Sequence, residues 1–155
     1  MSSWGKCDYK QLQELQKKIE KLQKKELKEF CEAVSKELAA RLLAKVIKRT
    51  PVGQYPSGSG KVGGTLRRGW TGQKQQNAAA YAQSLPITKA GNTYTVEIIN
   101  PVEYASFVEY GHRTRGGGGW VEGRFMLTKS EMEVEGQAEK IIEKKLMQYL
   151  GDIFE

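Results

Sequence analysis

The sequence predicts an α+β fold: a long N-terminal helix and a long C-terminal helix flanking a small, mainly antiparallel β-sheet, with Gly-rich loops between. Three observations carry this. Residues 8–49 contain no Gly or Pro and place apolar side chains at steps of three and four. Residues 84–99 alternate apolar and polar about a turn at Ala90-Gly91-Asn92. Residues 124–150 return to helical spacing, with Phe125, Met132, Ile141, Ile142, Leu146 and Tyr149 among the apolar positions. The 155 residues are read as one domain spanning 1–155. A chain of this length buries roughly two-thirds of its unfolded surface and needs no metal or disulfide staple.

The first helix opens on Asp8 with Gln11 three residues on, a variant of the capping box. Glu14–Lys18, Glu20–Lys24, Glu32–Lys36 and Glu37–Arg41 are i,i+4 pairs in the favourable order. Some 40 residues make about 60 Å of helix, longer than such a domain is wide. Part of it therefore projects or lies against another subunit. Its rhythm changes along the way. Leu12, Leu15, Ile19 and Leu22 step by three and four, as in a coiled-coil seam. Phe30, Val34, Leu38, Leu42 and Val46 step by four, a stripe that drifts around the helix. Lys10, Lys17, Lys21, Lys24 and Lys28 share the face opposite the first seam. Two packing surfaces on one helix follow, the second half on its own domain and the first half on something else. The lysine face is either simply solvated or a cationic stripe facing a lumen or DNA.

Residues 50–64 are rich in Gly, Pro and Ser and read as a flexible loop. Thr65–Trp70 resumes structure, while 71–83 fit strand, helix or neither. In the hairpin, Leu85 and Ile87 alternate on one strand, and Tyr94, Val96 and Ile98 on the other. Tyr104, Phe107 and Val108 predict a short helix over 103–110, closed by Gly111. Residues 112–119, His-Arg-Thr-Arg and four glycines, read as a basic glycine loop, and 120–123 re-enter the sheet region of 65–123.

Mean hydropathy is −0.59, and no run approaches the roughly 18 apolar residues of a membrane span. Residues 1–10 lack the apolar core of a signal peptide. Cys7 and Cys31 suit neither a metal knuckle nor a redox motif, and free thiols in a reducing cytoplasm are expected. The net charge of +7 is uneven: residues 1–49 carry 13 basic and 7 acidic side chains, whereas 124–155 carry five basic and seven acidic. Such asymmetry suits nucleic acid, and equally suits subunits that meet head to tail, basic face on acidic face.

No pattern makes an enzyme or a cofactor site. Gly58-Ser59-Gly60-Lys61-Val62-Gly63 matches G-x-G-x-x-G, but a Pro-bearing loop precedes it where the dinucleotide fingerprint needs a strand. As a phosphate loop it fails, because Val62 follows Lys61 where Ser or Thr must hold the metal. His112 is the one histidine, and no G-x-S-x-G elbow supplies a nucleophile. Glu103 and Glu109 are six apart on a short helix and point to different faces. One His and two distant Cys make a poor zinc set. His112, Arg113 and Arg115 before the glycines meet solvent, an acidic protein or DNA phosphates. Arg67, Arg68 and Trp70 combine types enriched at interface hot spots, or place Trp70 with Leu66 in the core and the arginines in water. No helix-turn-helix, zinc finger or RNP pattern is present.

Four segments together carry a resemblance: T-P-V-G at 50–53, T-L-R-R-G-W at 65–70, V-E-Y-A-S-F-V-E-Y-G-H-R at 102–113, and G-W-V-E-G-R-F-M-L at 119–127. Over about residues 30–150 the chain resembles a family of minor tail components of tailed bacteriophages and prophages, the neck or tail-completion proteins of the head–tail junction. The family pattern reads roughly T-P-V-D-T-G-x-L-R-x-S. Here Gly53 stands where Asp is usual, and 54–63 intervene before Gly64-Thr65-Leu66-Arg67. The resemblance implies long helices flanking a small sheet, assembly into a ring, no cofactor and no catalysis. It implies a homo-oligomer, a hexamer first and a dodecamer second. It also implies neighbours among tail terminator, connector and sheath or tube proteins, assembly in the bacterial cytoplasm, and a place in the virion neck or a tail-like particle. Leu12, Leu15, Ile19, Leu22, Arg67, Arg68, Trp70, Glu109, Tyr110, His112, Arg113 and Arg115 are the expected subunit or partner contacts. Lys17, Lys21, Lys24 and Lys28 are the residues expected to face the lumen or DNA. A tail terminator is the nearest rival reading, and a nonspecific DNA-binding protein the rival of another class.

Overall fold

A computed structural model describes residues 9–74 and 76–154, apart from the side chains at 9, 11, 12, 15, 18, 19, 22 and 152–154. The Asp8–Gln11 cap, Cys7 and the side chains of the Leu12, Leu15, Ile19 and Leu22 seam lie outside the described residues. The α+β class is found. In order the elements are α1 (Tyr9–Arg49), α2 (Thr65–Gly69), α3 (Ala78–Ser84), β1 (Ile87–Ala90), β2 (Thr93–Val96), α4 (Ala105–Tyr110), β3 (Gly111–Arg113), β4 (Trp120–Glu122) and α5 (Met126–Phe154).

The expected single sheet is two separate antiparallel hairpins, β1–β2 and β3–β4. In the first, Ala90 pairs with Thr93, leaving Gly91 and Asn92 as a two-residue turn in which Gly91 takes φ 60°. A positive φ at the first turn position suits the right-handed twist of the strands, and glycine adopts it without strain. The second hairpin corrects the reading of 112–119 as a loop. His112 pairs with Val121 and Arg113 with Trp120, so the loop shrinks to 114–119. Thr114 closes it: its N–H donates to the Gly119 carbonyl at 3.0 Å. The undecided stretch 71–83 contains α3, whose first turn is capped by Asn77 Oδ1 accepting from the Ala80 N–H at 2.7 Å.

The core is built from α1 outward. Ala39, Leu43 and Val46 meet Leu66 and Trp70 at and just after α2, Ala82 of α3 and Met126 of α5. Val96, Ile98, Val102, Ala105 and Val108 pack around them. On α5 the inward stripe runs through Met126, Ser130, Val134 and Ile141. Met132, Ile142 and Leu146, apolar at helical spacing, lie outside this stripe and are exposed.

α5 runs antiparallel to α1. Glu133 pairs with Lys45 at 2.9 Å and with Arg49, Lys145 pairs with Glu37 at 2.7 Å, and Phe30 stacks on Tyr149 at 5.1 Å. Among the described residues, side-chain bonds between the two helices reach from Glu26 to Arg49 of α1, and every described side chain from Lys10 to Lys25 is exposed. The first 17 residues of α1 thus form an arm of about 25 Å.

Candidate assembly interface

The segments 50–53 and 65–70 meet at Thr50. The Thr50 hydroxyl donates back to the Val46 carbonyl at 2.6 Å and accepts from the Trp70 indole N–H at 2.8 Å. Arg67 forks onto the Thr50 carbonyl through Nε at 3.1 Å and Nη2 at 2.7 Å. A guanidinium at the C-terminal end of α1 also sits favourably in the helix dipole. Arg67 and Trp70 are therefore engaged inside the subunit rather than presented to a neighbour. Trp70 is 3% exposed. Arg68 is exposed and reaches only the Gly63 carbonyl and Thr65.

Glu109 is likewise turned inward, 6% exposed. Its carboxylate accepts from the Leu127 N–H at 2.9 Å, the Thr128 N–H at 2.9 Å and the Thr128 hydroxyl at 2.7 Å. The two N–H groups are orphan donors of the first turn of α5, at the positive end of its dipole. The backbone reinforces the clasp: Arg124 N–H donates to the Val108 carbonyl at 2.7 Å, and Phe125 N–H to the Glu109 carbonyl at 3.0 Å. Phe125 is held at φ 49°, a left-handed conformation unusual for a bulky residue. Gly111 takes φ 87°, and a Cβ there would meet the Val121 carbonyl oxygen at 2.5 Å. Only glycine lets α4 pass directly into β3 so close to β4.

The rigid corner so made carries exposed aromatic side chains. Phe107 is 55% exposed, Tyr110 63% and Trp120 55%. The His112 ring lies 5.8 Å from that of Phe107. Arg113 and Arg115 are exposed beside it, on β3 and the glycine loop. Of the expected contacts, the structure thus brings Tyr110, His112, Arg113 and Arg115 to one exposed corner. It leaves Arg68 apart, on α2. Phe107, beside His112, and Trp120, paired with Arg113, are also exposed at this corner and were absent from the sequence expectation, although a Trp after four glycines is itself a cue to an aromatic beside a pliable loop. Lys17, Lys21, Lys24 and Lys28 are all exposed on α1. Among the described residues, no group of His, Cys, Asp or Glu side chains is placed to hold a metal ion, and no helix is long and apolar enough to cross a membrane.

Comparison with curated proteins and with solved structures finds no match. A protein family described as "Bacteriophage HK97-gp10, putative tail-component" matches residues 13–111, from the arm of α1 to Gly111. The match spans more than half of the chain and takes in Thr50, Arg67, Trp70 and Glu109. The chain belongs to the HK97-gp10-like family of bacteriophage tail components.

Proposed function

We propose that the protein is a structural, non-catalytic subunit of an oligomeric ring at the neck of the tail, where it completes the tail or joins it to the head. The observation that supports this is the aromatic–arginine corner of α4 and β3–β4, exposed yet fixed in orientation by the Glu109 clasp on α5. Tyr, Trp and Arg are the types that anchor protein interfaces, and a pre-set backbone lowers the ordering cost of binding. The glycine loop beside it orders on contact with the next layer. Tyr110, His112, Arg113, Arg115 and Arg68 are the proposed contacts. The arm of α1 supplies another through the Leu12, Leu15, Ile19 and Leu22 positions. Neighbours are other tail proteins, the terminator, connector and sheath or tube among them. The ring assembles in the bacterial cytoplasm and resides in the virion or a tail-like particle.

The test is solution mass by light scattering across concentration and salt, followed by electron microscopy of tails carrying labelled protein. A closed ring of fixed mass, a hexamer first and a dodecamer second, with label at the head-proximal end, is expected. Label capping the tube itself would make the protein a terminator. Tails that lack the label altogether would overturn the ring reading. The exposed lysines of α1 favour one other reading, nonspecific DNA binding, in which affinity falls by orders of magnitude over a few-fold rise in salt.

A further inference from the structure

The outward face of α5 has no partner within the subunit. Glu131, Glu135, Glu139 and Glu143 climb it at steps of four, all exposed. Met132, 66% exposed, and Ile142, 38%, stand between them, and Leu146, 39%, follows one turn on. Glu131 and Glu135 also rim an open apolar groove of about 490 Å³ between α1, β2 and α5, floored by Leu38, Leu42, Val96 and Val134. Among the described residues none of the four glutamate side chains takes part in a hydrogen bond or ion pair. Like charges four apart on a helix repel one another. This face is therefore apolar, acidic and internally uncompensated.

α1 carries the opposite pattern. Lys17, Lys21, Lys24 and Lys28 follow at steps of four, three and four, all exposed, with Leu27 beside them at 54% exposure. Lys17, Lys21 and Lys24 have no charged partner among the described residues, and Lys28 has Glu32 at 3.8 Å. The two ladders match in length, about 17 Å for the lysines and about 18 Å for the glutamates. They cannot meet within one chain. The pairs Glu133–Lys45 and Lys145–Glu37 place the glutamate ladder beside the second half of α1, away from its lysines.

We infer that the lysine face of α1 in one copy docks along the glutamate and apolar face of α5 in a second copy. This rests on the ring reading and names one of its contacts. Each subunit uses α1 on one neighbour and α5 on the other, a heterologous contact that closes into a ring by rotation. Apolar residues set the burial and the flanking charges set partner and register, as in a coiled coil. DNA also attracts a lysine face, but it leaves Met132, Ile142, Leu146 and the glutamates unused.

The experiment uses the full-length chain at about 10 mM salt, where charges act over about 30 Å. The variants are K17E/K21E/K24E and E131K/E135K/E139K, each measured alone and as an equimolar mixture by sedimentation. The wild type is expected to self-associate, less so as salt rises. Each charge-reversed variant alone should lose self-association on the order of tenfold or more, and the mixture should regain it. The neutral variant E131Q/E135Q/E139Q should fall between. Unchanged helicity and melting temperature establish that each variant folds, as substitutions at exposed positions should. The docking is overturned if the wild type stays monomeric throughout. It is also overturned if either reversed variant associates as the wild type does, or if the mixture fails to recover. Retention on duplex DNA that is lost in K17E/K21E/K24E while self-association persists would overturn it in favour of nucleic acid. A ring that tolerates both reversals sinks this contact alone, whereas absence of the labelled chain from the neck sinks the ring reading.

Discussion

Thr50 and Glu109 illustrate how single side chains hold this protein together. Thr50 ties the end of α1 to Trp70 and Arg67 through three bonds. Glu109 supplies a buried negative charge to the first turn of α5. Glu109→Ala leaves two backbone N–H groups and a hydroxyl without their acceptor, and should lower stability by about 2–3 kcal/mol in urea unfolding. Glu109→Gln keeps an acceptor oxygen but loses the charge, and should lower it by about 1 kcal/mol. Neither role was legible in the sequence. Arg, Trp and Glu in a short motif have the same composition whether they face a neighbour or their own core. Which one applies depends on partners 17, 20 and 18 or 19 positions away along the chain. The part that was legible is the chemistry of the exposed corner, because Tyr110 stands just before, and His112, Arg113 and Arg115 just after, an obligatory glycine that ends the helix.

At the scale of elements, the long helices and the first hairpin could be read directly, since periods of 3.6 and 2 leave their mark in any window of this length. The inward stripe of α5 could not be read as cleanly. Apolar residues cover more than one face of it, so Met132, Ile142 and Leu146 share the helical apolar spacing with Ile141 yet lie outside the buried stripe. The alanine cluster of α3 carries no periodic signal, and Asn77 as its cap is the one local cue. The pairing of α1 with α5 rests on ion pairs at two levels. Glu37 is held below the ordinary glutamate range by its hydrogen bond to Lys145 and further by Arg41, against opposing desolvation. Glu133 is held down by its hydrogen bonds to Lys45 and then Arg49. A carboxyl whose folded value is depressed contributes stability above its unfolded value, and that stability is lost as pH falls through the folded one. The melting temperature should therefore fall as pH drops below about 4.5, the ordinary glutamate value. In E37Q/E133Q the acid limb of that profile should flatten. Glu133 is exposed and Glu37 half-buried, so the difference between the two profiles should shrink at high salt, chiefly through Glu133.

At the scale of the whole molecule, one helix serves two bodies: its second half is the spine of the core, and its first half stands clear. In light scattering, Leu15→Glu with Ile19→Glu should abolish the proposed oligomer while leaving the monomer folded. Equal loss of the monomer's melting temperature would instead place those positions inside the fold. Family and fold class were both within reach of the sequence, because four short segments and two long periodic runs specify them together. The geometry of the proposed ring was not, since contacts that would set it lie between chains. It is here that the unbroken backbone of α1 has a consequence. With no Gly or Pro from Tyr9 to Arg49, the arm has no hinge and behaves as a lever fixed to the core. Subunits in a ring of six turn by about 60° from one to the next, and in a ring of twelve by about 30°. Swinging a rod of about 25 Å through that difference carries its tip about 13 Å, more than two helical turns. In the proposed ring, a tip held in one place on the neighbour could serve only one of these angles, and a stiff arm would act as a gauge that counts the subunits.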